Sequence, residues 1–253
     1  MESGLTDVAQ FSAIALVAFG STLISSMCGG GSNMISTPFW LMMGFSLPVA
    51  MATNTLAGAM WTLVAARNYL RGHEIDWRLI GNMVVCGLIG AYFGAQVVMR
   101  SDPKNMQRII GVIILSLVAY TFFKKEFGIE SKPPSTSRFL TSLAGFPLGF
   151  YESFFGSGNS LITSAILTKT RGFKLLEALG YSYVLSFFWC LFASIMYGSG
   201  GNWKLSLIIP SVLGAVCGAS VGSHIGAKKG TRFVKGLFIS IGSVLGVKLL
   251  LGY

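Results

Sequence analysis

Charged residues are scarce in this sequence of 253 residues: they make up 11% of it, whereas a soluble domain carries about 25%. Hydrophobic residues make up 53%, and the mean hydropathy is +0.67. This composition excludes a water-soluble fold. The apolar residues form continuous runs, each about long enough to cross a bilayer as a helix. These runs are Phe11 to Cys28, Leu79 to Met99, Ile109 to Phe123, Leu205 to Ile225 and Phe233 to Leu251.

Histidine and cysteine are also rare, which argues against catalysis and metal binding. His73 lies in a loop without the spacing of a metal-binding pair, and His224 has Ser220 and Ser223 nearby but no GxSxG elbow. We therefore expect no enzymatic activity, no metal and no cofactor, and a membrane-embedded hydrolase is the weakest alternative. The four cysteines lie in apolar runs without CxxC spacing; they are Cys28, Cys86, Cys190 and Cys217.

The formal net charge is +10, but the basic residues flank the apolar runs instead of forming one polar domain. We interpret them as topology signals and expect a lipid bilayer, not nucleic acid, as the partner. The first ten residues, MESGLTDVAQ, lack the basic start of a signal peptide, so we expect the first span to be retained.

The two halves of the chain repeat one pattern at a shift of about 127 to 128 residues. The glycine motif at 28–37 aligns with 155–164, and Gly90 and Gly94 align with Gly218 and Gly222. We predict a first membrane repeat at 1–123, a polar cytoplasmic linker at 124–138 and a second membrane repeat at 139–253. Small residues at helical spacing predict close helix packing; they are Gly87, Gly90 and Gly94, and Gly214, Gly218 and Gly222.

Each repeat contains a short segment after its glycine motif, from Ser32 to Met43 and from Asn159 to Thr168. If these segments cross, each repeat has five spans and the second is inverted, which puts 14 Lys and Arg on one side and 5 on the other. If they do not cross, the counts are 9 and 10. The positive-inside rule favours the first arrangement. We predict an all-α polytopic membrane protein with two inverted repeats of about five helical segments each, and both termini outside.

The glycine motifs are the best candidates for a binding site. A helix that begins inside the membrane has N–H groups without partners, and these groups attract an anion. The candidate substrate-binding residues are Gly29, Gly30, Gly31, Ser32, Asn33, Gly156, Ser157, Gly158, Asn159 and Ser160. Simple helix capping by the polar members of this set is the alternative.

Four further polar residues lie in apolar stretches or next to them. Asn54 and Tyr181 interrupt corresponding stretches of the two repeats, so we place both near the site, with helix-to-helix hydrogen bonding as the alternative. Glu152 would be costly to bury ionised and is the candidate proton carrier; alternatively, donors at a helix end satisfy its carboxylate. Arg171 would attract anions at the cytoplasmic mouth or serve as a topology anchor.

These residues resemble the TauE/SafE sulfite exporter family, also called the four-toluene-sulfonate uptake family, over nearly the whole chain. The matching motifs are Cys28 to Gly31, Thr37-Pro38, Ala52 to Asn54, Gly149 to Glu152, Phe154 to Gly156, and the Gly-Ala-xx-Gly elements near 90 and 218. The resemblance implies a multi-pass carrier of the cell inner membrane for sulfite, sulfonates or similar small anions, coupled to protons. The second glycine motif departs from a full glycine run, and Ala165 replaces the proline that matches Pro38.

The leading hypothesis is therefore a secondary transporter of small anions, with alternating access at the interface of the repeats and Glu152 in proton coupling. An anion channel is the second hypothesis. Carriers of this size often pair, so a homodimer is a further expectation.

Overall fold

The computed structural model describes residues 2–100, 112, 114–116, 118–119, 122–123 and 128–251. Within these residues there are ten complete helices and no strand. The helices are α1 (Glu2–Cys28), α2 (Ser32–Met42), α3 (Leu47–Leu70), α4 (Trp77–Arg100), α5 (Arg138–Leu143), α6 (Gly145–Phe154), α7 (Asn159–Arg171), α8 (Leu175–Ser199), α9 (Leu205–Lys229) and α10 (Thr231–Leu251).

Five of these helices are long and apolar enough to cross a membrane: Val8–Cys28, Leu47–Leu70, Trp77–Met99, Leu175–Ser199 and Leu205–Lys229. The prediction of an all-α polytopic membrane protein is confirmed. Seven of the fifteen residues in the run from Ile109 to Phe123 lie outside the described residues, and the other eight are helical. Linker residues 124–127 also lie outside them, whereas 128–137 form no helix.

The two short segments are helices, as predicted. α2 has 11 residues and α7 has 13. At 1.5 Å per residue they are about 16 and 20 Å long, well short of the hydrocarbon thickness of about 30 Å. Each follows a glycine in the left-handed region, Gly31 with a φ of 109° and Gly158 with a φ of 83°. Only glycine adopts this conformation at little cost, so the glycines fix where both helices begin.

The two repeats pack against each other symmetrically. Exchanging each helix for its counterpart in the other repeat leaves the pattern of helix contacts unchanged. In the alignment of the repeats α1 corresponds to α5 and α6, α2 to α7, α3 to α8, and α4 to α9. α1 packs along α9, and its counterpart α6 packs along α4, the counterpart of α9. α3 packs along α8, its own counterpart. This pattern is that of a two-fold relation, whereas the inverted insertion stays a prediction from the loop charges.

Glycine stripes allow the two equivalent close contacts. A Cβ added at Gly90 would meet the carbonyl oxygen of Phe146 in α6, and one added at Gly218 would meet that of Phe19 in α1. Any side chain at either position would force the helices apart. The same backbone contact occurs at Gly94, Gly214 and Gly222, whereas Gly87 faces the ring of Trp189. The predicted packing role of these glycines is confirmed.

A repeated hydrogen bond holds the helix end before each glycine motif. The Tyr69 hydroxyl donates to the Ser26 carbonyl oxygen at 3.0 Å, and the Tyr197 hydroxyl donates to that of Ser153 at 2.7 Å. Ser26 and Ser153 are repeat counterparts, as are Tyr69 and Tyr197. The two tyrosines thus satisfy carbonyl groups that a helix end leaves without partners.

The first span of the second repeat is interrupted, unlike α1. α5 ends at Leu143 and α6 begins at Gly145, with Ala144 between them. Pro147 follows four residues after Leu143 and has no N–H to donate to the Leu143 carbonyl, so the helical hydrogen-bond ladder cannot continue unbroken.

Candidate functional site

The two glycine motifs meet in the interior of the protein. A Cβ added at Gly30 would lie 2.5 Å from the Cα of Gly158, which is closer than real contacts allow. The backbone just before α2 therefore touches the backbone just before α7. The structure thus brings together the two motifs that the sequence singled out.

A pocket opens beside this contact. Its free space of about 20 Å³ is enough for one water molecule, so the pocket is narrow in this conformation. Nine of the residues predicted for the site line the pocket: Gly29, Gly30, Gly31, Ser32, Asn33, Asn54, Glu152, Gly156 and Ser160. Ser157, Gly158 and Asn159 are not lining residues; they lie in the loop that leads to α7 and at the start of α7.

The polar residues of the motifs do not cap the short helices. Neither α2 nor α7 has a side-chain hydrogen bond to its first turn in the described part of the chain. Instead, Asn33 donates to the Phe155 carbonyl oxygen at 3.0 Å and so links the first motif to the second. The Ser157 hydroxyl and the side-chain Oδ1 of Asn159 are buried without a hydrogen-bond partner among the described residues. The first N–H groups of both helices are therefore not covered by capping side chains.

Glu152 is buried at the pocket wall, with 7% of its surface exposed. Its carboxylate accepts hydrogen bonds from the Asn159 amide, from the Ser186 hydroxyl at 3.1 Å and from the Cys190 thiol at 3.1 Å. No lysine or arginine is among the described residues that line the pocket. Donors from α7 and α8 thus satisfy the carboxylate without any positive charge beside it.

Asn54 connects α3 to α2. Its carbonyl oxygen accepts from the Ser36 hydroxyl at 3.1 Å and from the Trp40 indole N–H at 2.8 Å, and its amide donates to the Thr37 hydroxyl at 2.8 Å. Asn54 is 7% exposed. The side chain therefore lines the pocket and also fixes α2 against α3.

Five lining residues were missed by the sequence analysis: Gly58, Trp61, Thr62, Ser186 and Cys190. A signal for four of them lies in the repeat. At a shift of 128, Asn54, Gly58 and Thr62 correspond to Ser182, Ser186 and Cys190, and each set is spaced by four residues. Residues four apart lie on one face of a helix, so α3 and α8 present equivalent faces to the pocket.

The structure does not bring Tyr181 or Arg171 to the pocket. The Tyr181 hydroxyl accepts from the Asp76 N–H at 2.7 Å, in the loop between α3 and α4. The repeat counterpart of Asn54 is Ser182, and one residue turns a helix by about 100°, which points Tyr181 away. Arg171 donates to the Thr136 carbonyl oxygen at 2.9 Å and so holds the linker at the end of α7.

Curated proteins that resemble the chain are named as transporters. A probable membrane transporter protein of Haemophilus influenzae is 26% identical over 92% of this chain and 91% of its own length. The probable membrane transporter protein ORF9 of a Sinorhizobium species is 26% identical over 93% and 90%. The probable membrane transporter protein YfcA of Escherichia coli K12 is 22% identical over 92% and 87%. No solved structure matches the chain.

The match to a family model extends over most of the described fold, from residue 14 to residue 249. The description of that family is sulfite exporter TauE/SafE, in agreement with the resemblance found in the motifs. Together with the relatives, this match makes the chain a membrane transporter and not an enzyme. The chain belongs to the TauE/SafE family.

Proposed function

We propose that the protein is a secondary transporter of small anions, coupled to protons, that works by alternating access at the interface of the two repeats. The substrates would be sulfite, organosulfonates or similar sulfur-containing or carboxylate anions. The observation that carries the proposal is the meeting of two uncapped helix starts, at Gly30 and Gly158, beside a pocket.

The electrostatics of these helix starts supports an anionic substrate. Each helix N-terminus carries roughly half a positive charge, and in this proposal the starts of α2 and α7 supply that charge to the bound anion. The glycines leave the backbone accessible, as close approach of an anion requires. No lysine or arginine is among the described residues of the lining, so the electrostatic attraction for an anion would come from the two helix N-termini.

Glu152 provides a physical basis for coupling anion transport to proton transport. An ionised carboxylate beside the pocket would repel a bound anion at short range, because the interior screens charge poorly. A protonated carboxyl group removes this repulsion. The anion and the proton would then enter and leave together, with Glu152 as the proton carrier.

The small free volume supports alternating access. A cavity of about 20 Å³ cannot hold a sulfonate, so the pocket is too narrow for the substrate in the conformation described here. Binding from either side requires the halves to move apart, and the two-fold packing offers an equivalent movement on each side. The protein would be a multi-pass protein of the cell inner membrane with both termini outside. Arg171 and the linker would then lie at the cytoplasmic mouth of the transport path. A homodimer remains part of the proposal.

Flux into lipid vesicles tests the proposal. Purified protein in vesicles should take up sulfite or a small sulfonate with saturation, and an anion loaded inside should accelerate uptake by counterflow. Flux that rises in proportion to concentration without counterflow would indicate a channel instead. Uptake equal to that of empty vesicles for sulfite, sulfonates and carboxylates alike would contradict anion transport.

A further inference from the structure

A second cavity lies on the other side of the first glycine motif, between α1, α2 and α10. Its volume is about 170 Å³, and Gly30 and Gly31 separate it from the anion pocket. Apart from the motif, Ser25 and Lys248, its lining is apolar, as at Met34 and Ile241. The cavity is thus far larger and less polar than the anion pocket, and an anion alone would have few partners there.

The rim of this cavity faces the surroundings of the protein. Ile24, Ile35 and Val244 line it and are 42%, 46% and 70% exposed. In the membrane arrangement proposed above, the medium that these side chains meet is the hydrocarbon of the bilayer. An acyl chain can therefore enter the cavity from the side without crossing water.

Lys248 gives the cavity a charged end. It lies seven residues after Ile241 on α10, about 10 Å along the helix axis, in the last turn of that helix. No ion pair of Lys248 occurs within the described residues. A lysine in this position reaches the headgroup region, where basic residues between membrane helices bind lipid phosphates.

We propose that this cavity is a binding site for an anionic phospholipid, with the phosphate on Lys248 and one acyl chain against Ile241, Val244 and Met34. The methyl end of the acyl chain would lie behind the first glycine motif. A Cβ added at Gly31 would be 3.8 Å from the Ile241 side chain, so this wall of the cavity is the motif itself. A bound lipid therefore supports the start of α2 and stabilises the folded protein by mass action.

A lipid titration of the full-length protein in detergent tests the site. We expect phosphatidylglycerol to raise the Tm saturably and phosphatidylcholine to leave it nearly unchanged. Lys248→Gln should weaken phosphatidylglycerol binding about fivefold, since one lysine contributes about 1 kcal/mol to anionic lipid binding. Ile241→Trp should fill the cavity and abolish the saturable shift. The matched control is Lys228→Gln, an exposed lysine at the end of α9, which should bind as the wild type does.

Three results would overturn the proposal: equal shifts with both lipids, unchanged phosphatidylglycerol affinity in Lys248→Gln, or a dimer that Ile241→Trp converts to a monomer. The last result would mean that a second copy of the chain covers the cavity. Lys248→Gln keeps a polar side chain with most of the methylene stem, so it decides the matter even if Ile241→Trp fails to fold. The titration needs no anion transport, and its outcome is independent of the proposed function.

Discussion

Asn159 donates a hydrogen bond from its side-chain amide to the Glu152 carboxylate, and Asn159 is also the first residue of α7. The carboxylate is therefore connected directly to one of the two helix starts that form the site. Ser186 and Cys190 connect it to α8 as well. A change in the charge of Glu152 alters all three bonds at once, so protonation and the position of α7 are coupled.

Gly30→Ala should damage both the fold and the site. The added methyl group would overlap the Gly158 backbone, and overpacking of this kind costs about 1–3 kcal/mol. We expect a lower Tm in detergent and a loss of the Tm increase that sulfite produces in the wild type. Gly81→Ala is the matched control, because no atom lies within 4 Å of its added Cβ. Equal behaviour of the two variants would mean that the motifs do not touch.

Gly90→Ala and Gly218→Ala should be destabilising to a similar degree. Each added methyl group meets a backbone carbonyl of the facing helix, which cannot move aside without separating the helices. We expect each variant to lose about 1–3 kcal/mol of stability in a denaturant titration. Were only one of them destabilised, the packing of the halves would not be equivalent.

Much of this fold was predictable because it follows from backbone properties. The run lengths predicted α1, α4, α9 and α10, and the glycines before Ser32 and Asn159 predicted the starts of the short helices. The long helices α3 and α8 followed only from the expectation of five segments in each repeat, because polar residues interrupt their apolar stretches. The break at Ala144 was not predicted, since a proline near a helix start is usually tolerated and its effect depends on the preceding turn.

The contents of the site were harder to predict. The motif residues were found because glycine runs are conspicuous, whereas Ser186 and Cys190 are ordinary residues in an apolar helix. Their role depends on which face of α8 meets Glu152, and the sequence does not show that face: it points to Tyr181, whose hydroxyl is bound to the Asp76 backbone instead. Sequence periodicity shows which residues share a helix face, but only a known contact with a neighbouring helix shows which face meets the pocket.

Ser186→Ala should affect anion transport more than Tyr181→Phe does. The Ser186 hydroxyl donates to Glu152 at the pocket wall, and a lost hydrogen bond of about 1 kcal/mol corresponds to roughly a fivefold change in KM. The Tyr181 hydroxyl is bound to the Asp76 backbone instead. Initial rates in vesicles provide the measurement. A larger effect of Tyr181→Phe would place the substrate route elsewhere.

Reporter tags test the inverted arrangement of the repeats. We expect tags at both termini to be accessible from outside the cell and a tag inserted after His73, near Arg71 and Arg78, to be in the cytoplasm. This is the orientation in which the positive charges collect inside. Cytoplasmic tags at both termini would contradict it.

Proton-driven uptake is the most direct test of the central claim, that the paired helix starts bind an anion together with a proton on Glu152. Wild-type protein in vesicles should accumulate sulfite or a small sulfonate when the outside is made more acidic. Glu152→Gln should lose this response to the gradient while retaining a sulfite-induced Tm shift, and Glu177→Gln, at the start of α8 and outside the pocket, should behave as the wild type does. An unchanged gradient response in Glu152→Gln would mean that Glu152 does not carry the proton.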